Sequence, residues 1–372
     1  MTRALPSLTN LAHRGVRAQK AISALERNEQ IIVIDDLNDR ETCGYLVAGA
    51  AHATAAMLAS MVRYSSGFVC VALNGDTCDR LDLPAMEGTE QQSSTQSHPC
   101  VTVDAIQGTT TGISAHDRAY TAALLANPHA TREDFTRPGH VVPVRTADGG
   151  LLTRQSIAEA ASFLSDRAGH GTAALFAAAV GENEQAGLPH EAELEAFATA
   201  HRLSLVTLSD VHTYMLAVTP VVRRDTATRV LGQQVITYVG PTSSDRQHVT
   251  VIGPTDPDTA VPLYLHLGSP VADDADNLHR LEETERSMMA TGRGITVHVA
   301  NDQTPDRRAL EVADSLPFVV ASILNDLGVQ SVSLLNGDRR LRTVLDARGI
   351  KLRESMPVTS VAWPDERTLH AS

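Results

Sequence analysis

The chain has 372 residues, 42% of them hydrophobic and only 3% aromatic, with 31 Lys+Arg against 44 Asp+Glu for a formal net charge of −13. That length predicts two domains with cores drawn from Ala, Val and Leu, and the acid excess argues against a general nucleic-acid or anionic-membrane surface. No run of about 18 apolar residues occurs and the N-terminal stretch lacks the apolar core of a secretion signal, so a cytoplasmic protein is the expectation.

Residues 16–28 read as a helix, from alanines, Leu25 and charges at helical spacing. Ile31–Ile34 predicts a buried strand. It runs into Asp35, Asp36, Asp39, Arg40 and Glu41, which read as a loop presenting ligand groups at a sheet edge. A helix follows over Thr54–Tyr64, stopped by Ser65-Ser66-Gly67, and then a buried strand over Phe68–Leu73. The polar stretch 87–99 reads as a mobile loop or lid. Val101–Ala105 predicts a strand, and Ala115–Leu125 a helix capped by Ser114. Helices over Arg154–Arg167 and Glu191–His201 alternate with a strand or short buried segment at Ala173–Val180 and a strand at Ser204–Thr207.

A composition shift near Thr219–Ala227 marks a domain boundary, dividing the chain into 1–218 and 219–372. Beyond it, turn-rich punctuation separates strands at Gln234–Val239, His248–Ile252 and Val261–His266. Helices at 276–291 and 308–327 then alternate with strands at Ile295–Val299, Val332–Leu335 and Lys351–Arg353. Both halves therefore predict an α/β (mixed α+β) fold, each a sheet packed with helices. The four cysteines, Cys43, Cys70, Cys78 and Cys100, show no CxxC spacing and read as reduced, buried thiols.

Four segments of the first half carry chemistry. They are Asp39-Arg40-Glu41; DRLDLPAM at Asp79–Met86; TTTGISAHDR at Thr109–Arg118; and RPGHVVPV at Arg137–Val144. In series, across residues 15–215, they resemble the 3,4-dihydroxy-2-butanone 4-phosphate synthase family of riboflavin biosynthesis. That family converts ribulose 5-phosphate to formate and a four-carbon ketone phosphate with Mg²⁺, acids and histidines. Enolising a sugar phosphate needs a base, a hard cation and donors for the phosphate.

The resemblance implies roles residue by residue. Glu41 would be the metal-binding carboxylate, weakly if at all, and Arg40 a substrate contact; His140 would be the acid–base group. Arg154 would anchor phosphate, while Arg137, Thr111 and Ser114 would line the substrate pocket beside Cys70. Cys43 stands where the family has an acid, and Glu41 or Cys43 would supply a second proton-transfer or nucleophilic group. Tyr45, Ile157, Ala158 and, by ungapped register, Ala177 replace an aspartate, a metal-binding histidine, a threonine and a catalytic glutamate. The residues also admit structural roles: Arg40 and Arg154 as partners of Asp35, Asp39 or Glu159, Asp79-Arg80 and Asp117-Arg118 as loop-bracing ion pairs, and Thr109–Ser114 as an N-cap loop.

The second half, over about 222–360, resembles the GTP cyclohydrolase II domain often fused behind that synthase, best in Leu324–Val358 and in Gly292–Val299. That enzyme uses a zinc held by three cysteines, yet no cysteine follows Cys100. Asp273, Asp274, Asp276 and His279 read as an acidic helix start rather than a substitute site, so no zinc and no GTP ring opening are expected. The leading expectation is a diverged synthase-like enzyme acting on a pentose phosphate or related phospho-sugar by altered chemistry. The alternatives are a non-catalytic partner of a riboflavin-pathway enzyme and the ordinary synthase reaction. A homodimer, or a heteromer with a pathway enzyme, is the expected assembly, with neither nucleic acid nor membrane as partner.

Overall fold

The computed structural model describes residues 8–37, 43–86, 98–180, 189–230, 232–240, 246–256, 259–268, 275–300 and 308–353. The chain forms two compact units, Met1–Met215 and Leu216–Ser372. In the first, helix α1 (Leu8–Glu26) leads into strands β1 (Ile31–Asp35) and β2 (Cys43–Gly49), helix α2 (Ala55–Tyr64), strand β3 (Cys70–Leu73) and the short helix α3 (Gly75–Arg80). There follow β4 (His98–Pro99), β5 (Val103–Ala105), α4 (Ala115–Leu125), β6 (Phe135–Arg145), α5 (Ile157–Arg167), β7 (Ala174–Ala178), α6 (Glu191–His201) and β8 (Ser204–Thr207); α7 (Leu208–Val218) runs across the division.

These strands form a mixed eight-stranded sheet in the order β4-β6-β3-β7-β2-β1-β8, with β5 also paired to β6. Every residue of β1 is buried, as a strand covered on both faces requires. On one face, Ile32, Ile34, Leu46, Val71, Leu73 and Leu175 pack against Leu58 and Met61 of α2, Ala122 and Leu125 of α4, and Leu194 of α6. Helix α5 lies against β2, β3 and β7 and beside α1. Arg17 of α1 reaches Asp210 of α7 through two bonds of 2.6 and 2.7 Å, tying the first helix to the last.

Strand β2 corrects the sequence reading. The chain returns from the acidic stretch antiparallel to β1, with Asp35 opposite Cys43 and Val33 opposite Tyr45. Its two glycines hide the strand from pattern analysis and mark close approaches. A Cβ on Gly44 would sit 2.4 Å from Leu194 Cδ2, and one on Gly49 would sit 2.4 Å from His170 Nδ1. The helix expected from Arg154 starts instead at Ile157, behind Ser156 in extended conformation.

The second unit contains β9 (Arg223–Val230), β10 (Gln233–Val239), β11 (Arg246–Ile252), β12 (Val261–Gly268), α8 (Ala275–Thr291), β13 (Gly294–Ala300), α9 (Arg308–Asp326), β14 (Ser331–Leu334), α10 (Arg339–Ala347) and β15 (Lys351–Leu352). Its seven-stranded sheet runs β15-β14-β12-β13-β11-β10-β9, parallel from β15 to β13 and antiparallel beyond. Edge strand β9 is exposed along its whole length and so lacks the apolar alternation that marks a half-buried strand. Within this unit Arg224 binds Asp326 at 2.7 Å, and the Tyr238 hydroxyl donates to the same carboxylate.

Candidate functional site

The family-like motifs TGIS and RPGH converge on one carboxylate, Asp104 of β5. The His140 backbone N–H donates to Asp104 Oδ1 at 2.9 Å, and His140 Nδ1 lies 2.6 Å from Asp104 Oδ2. The Asp104 side chain is 11% exposed and that of His140 41%, so the imidazole is gripped from the protein side and open on the other. The glycines of the two motifs make this fit. A Cβ on Gly139 would meet the Val103 carbonyl carbon at 2.0 Å, so only glycine lets β6 approach β5 there. Gly112 has φ +84°, and a Cβ on it would stand 2.0 Å from Asp104 Oδ2 and 2.8 Å from His140 Nδ1.

Asp117 fixes the loop that carries Gly112. It accepts from the Thr110 hydroxyl at 2.8 Å and the Gly112 N–H at 3.1 Å, while its own N–H donates to the Ser114 hydroxyl at 3.0 Å. The Thr110 hydroxyl, ahead of the loop amides, holds the Asp117 carboxyl below its ordinary range. Thr111 and Ser114 themselves are exposed. The arrangement offers a hydroxyl- and amide-rich loop beside a histidine backed by a carboxylate, a set able to bind an oxyanion and move a proton.

Several expected residues have other work. Arg154, expected to anchor phosphate, is 5% exposed. It forms an ion pair with Glu159 and donates to the Arg145 carbonyl, while Glu159 also takes the Ala147 N–H at 2.9 Å. That pairing is the structural role the sequence also admitted. Arg137 donates to the carbonyls of Arg132, Phe135 and Leu81 and so braces the turn into β6. Asp79 pairs with Arg145 and Arg80 caps the Ala130 carbonyl, so these neighbours brace loops without bonding each other as expected. Arg118, likewise, binds the Gly67 carbonyl at 3.0 Å rather than Asp117. Arg40 and Glu41 lie outside the described residues, as does most of the expected lid at 87–99.

Tyr45, at a position where the resemblance implies an acid, and the expected pocket residue Cys70 lie on nearby strands. Tyr45 of β2 stands opposite Ala178 of β7, and Cys70 of β3 stands between Phe176 and Val142 in register, two residues along β6 from His140. Tyr45 and Phe176 meet edge to face with centroids 6.3 Å apart. Burial, then Cys43, then Asp35 and Cys70, push the Tyr45 phenol up; burial pushes the Cys70 thiol up to about 12. Cys43 is 9% exposed, so the expected nucleophile has little access. Ala177 sits opposite Leu46, on the other face of the sheet from Tyr45.

The resemblance implies Mg²⁺; of the positions it implicates, Glu41 lies outside the described residues and Ile157 is an apolar side chain. Ile157 and Ala158 are 6% and 0% exposed and carry no donor atom. Among the described residues no three His, Cys, Asp or Glu side chains are placed to hold a metal ion. In the second unit, Asp276 and His279 lie on the first turns of α8, where His279 pairs with Glu283 at 3.3 Å; Asp273 and Asp274 lie outside the described residues. Among the described residues no helix is long and apolar enough to cross a membrane.

Sequence reasoning missed Asp104. Its only signal was an acid within the apolar strand Val101–Ala105, two residues after Thr102.

Comparison with known proteins agrees with this geometry. Residues 19–214 match the family model for 3,4-dihydroxy-2-butanone 4-phosphate synthase. The chain is 33% identical to the riboflavin biosynthesis protein RibBA of Rhodococcus erythropolis, over 91% of this chain and 88% of the relative. It is 33% identical to RibBA of Mycobacterium tuberculosis over the same shares. Among solved structures, RibBX, a two-domain 3,4-dihydroxy-2-butanone 4-phosphate synthase from A. baumannii, superposes with a TM-score of 0.70. That match has 26% identity and covers 92% of this chain and 99% of RibBX.

Proposed function

The chain belongs to the 3,4-dihydroxy-2-butanone 4-phosphate synthase family, and from that membership we propose that it serves riboflavin biosynthesis by acting on a pentose phosphate at the His140 site. The comparisons support the synthase reaction itself, release of formate from ribulose 5-phosphate, better than an altered one. The observation that carries the assignment to this site is the meeting of the TGIS loop and His140 on Asp104. The loop's hydroxyls and amides receive the oxyanion, and His140 moves the proton beside the carbonyl.

One observation favours a second reading, a diverged enzyme with altered chemistry. The positions of the family's metal histidine and adjoining threonine, Ile157 and Ala158, are apolar and closed from solvent. The second unit reads as a GTP cyclohydrolase II-like domain without the zinc cysteines, and GTP ring opening is not among its proposed activities. A homodimer is the proposed assembly; Ile106, Ile113 and Tyr120, exposed around the TGIS loop, are candidate contacts.

The deciding experiment incubates the purified chain with ribulose 5-phosphate, with and without Mg²⁺, and follows carbon by NMR. Formate release supports the synthase reaction. Substrate consumption without formate supports altered chemistry. Thermal stabilisation by pentose phosphate without turnover supports a non-catalytic partner. No response to any pentose phosphate overturns the proposal.

A further inference from the structure

We propose that Asp104 is the positioning residue that makes His140 a base at Nε2, by clamping the imidazole through Nδ1 and the His140 backbone together. The inference rests on the functional reading above and adds a residue to it. An ionised carboxylate only accepts hydrogen bonds. With Oδ1 occupied by the His140 N–H and Oδ2 2.6 Å from Nδ1, the ring is held as the Nδ1–H tautomer. The lone pair then resides on Nε2, the ring nitrogen that Asp104 does not hold, on a side chain 41% exposed.

Three further features hold the carboxylate for this task. Gly112 presses on Asp104 Oδ2 so closely that no larger residue fits. Thr121 holds the end of β5, its hydroxyl oxygen accepting the Ala105 N–H at 3.0 Å while the same hydroxyl donates to the Asp117 carbonyl. Arg118, buried on α4, feels the Asp104 charge, which opposes the lowering caused by its own burial.

The step balances without a co-reactant. Nε2 takes the proton from the carbon beside the carbonyl, and the C–H electron pair moves into the carbon skeleton to give the enediolate. The imidazolium so formed carries its new charge next to Asp104, and returning the proton to the neighbouring carbon restores the base. An orienting carboxylate behind a histidine acts through tautomer and charge, without itself taking the proton.

The test uses the full chain labelled with ¹⁵N-histidine, with His140 assigned by difference from His140→Gln. Above the imidazole's titration range, wild-type His140 is expected to give the Nδ1–H pattern. An Nε2–H pattern overturns the proposal without need of any further variant. Asp104→Asn is expected to move the pattern toward Nε2–H, because the amide N–H₂ donates to Nδ1. It should lower kcat for deuterium exchange into ribulose 5-phosphate by about 10²-fold or more, with KM little changed. An unchanged tautomer in a folded Asp104→Asn chain also overturns it. If wild type exchanges no pentose phosphate, the functional reading fails, while the tautomer measurement still decides the role of Asp104.

Discussion

Replacing Gly112 by alanine should damage the site in two separable ways. The residue has φ +84°, a conformation that costs an L side chain about 1–2 kcal/mol. Its new Cβ would also stand 2.0 Å from Asp104 Oδ2, forcing the carboxylate off His140. Losing hydrogen bonds to a charged group costs about 1.5–3 kcal/mol, so the full penalty is about 2.5–5 kcal/mol. Gly169→Ala is the matched control, because φ is +80° and a Cβ there meets nothing within 4 Å. It should cost only the backbone part, about 1–2 kcal/mol. Pulse proteolysis in urea reads both, since fragments of the first unit report that unit without assuming one transition for the whole chain. Gly112→Ala should in addition lower proton exchange on ribulose 5-phosphate, and Gly169→Ala should leave it intact. Equal penalties for the two substitutions, with exchange unaffected, would refute the placement of Asp104 against this loop.

Breaking the Arg154–Glu159 pair by Arg154→Ala should destabilise the first unit by about 3–5 kcal/mol, because it leaves Glu159 buried and unpaired; a change in KM without loss of stability would instead restore Arg154 to the phosphate site. Cys70, whose thiol burial pushes up to about 12, should hold about 10³-fold less thiolate than a free cysteine and resist iodoacetamide at pH 8 until the chain unfolds. Asp117 contributes stability above the ordinary carboxylate range, and that contribution is lost as pH falls through its lowered folded pKa. Thermal melts taken downward from pH 6 should therefore fall less steeply for Asp117→Asn than for wild type. Added Zn²⁺ and GTP should yield no formate, since no cysteine follows Cys100 to hold the zinc.

How much was legible in sequence depended on the type of interaction. Helix α6 and strand β8 follow apolar periodicity, and they lie at the residues that periodicity indicated, Glu191–His201 and Ser204–Thr207. Strand β9 follows none, because an edge strand exposed along its length has no apolar side to repeat. Helix α10 was hidden by its opening arginines, although Leu341, Val344 and Leu345 are its buried stripe and Asp338 caps it by accepting the Leu341 N–H at 2.7 Å. In the site, the RPGH and TGIS segments were legible as contiguous strings. Asp104 was not, since its partners Gly112 and His140 reach it only through tertiary packing. The arginines are ambiguous for the opposite reason: a guanidinium beside a glycine-rich or phosphate-like motif looks like a ligand group, and burial shows that Arg154 is paired with Glu159.

The departures from the family pattern are unevenly placed, and that bears on what kind of change the site has undergone. Cys43 and Tyr45 lie on β2, Ala177 on adjacent β7, and Ile157 and Ala158 at the start of α5, the helix packed on those strands. The kept groups, Asp104, Gly112, Asp117 and His140, lie around β5, β6 and the start of α4. Random loss of polar groups from a buried site leaves gaps lined by poorly matched atoms, which cost stability. Here Ile157, Ala158, Phe176, Ala177, Cys43 and Cys70 are each at most 9% exposed, and Tyr45 closes edge to face on Phe176. The proton-transfer side of the fold has thus kept its close-fitting glycines and carboxylate clamp. Ile157, Ala158 and Ala177 are packed as core, while the close-fitting glycines and the carboxylate clamp around His140 support a working group there.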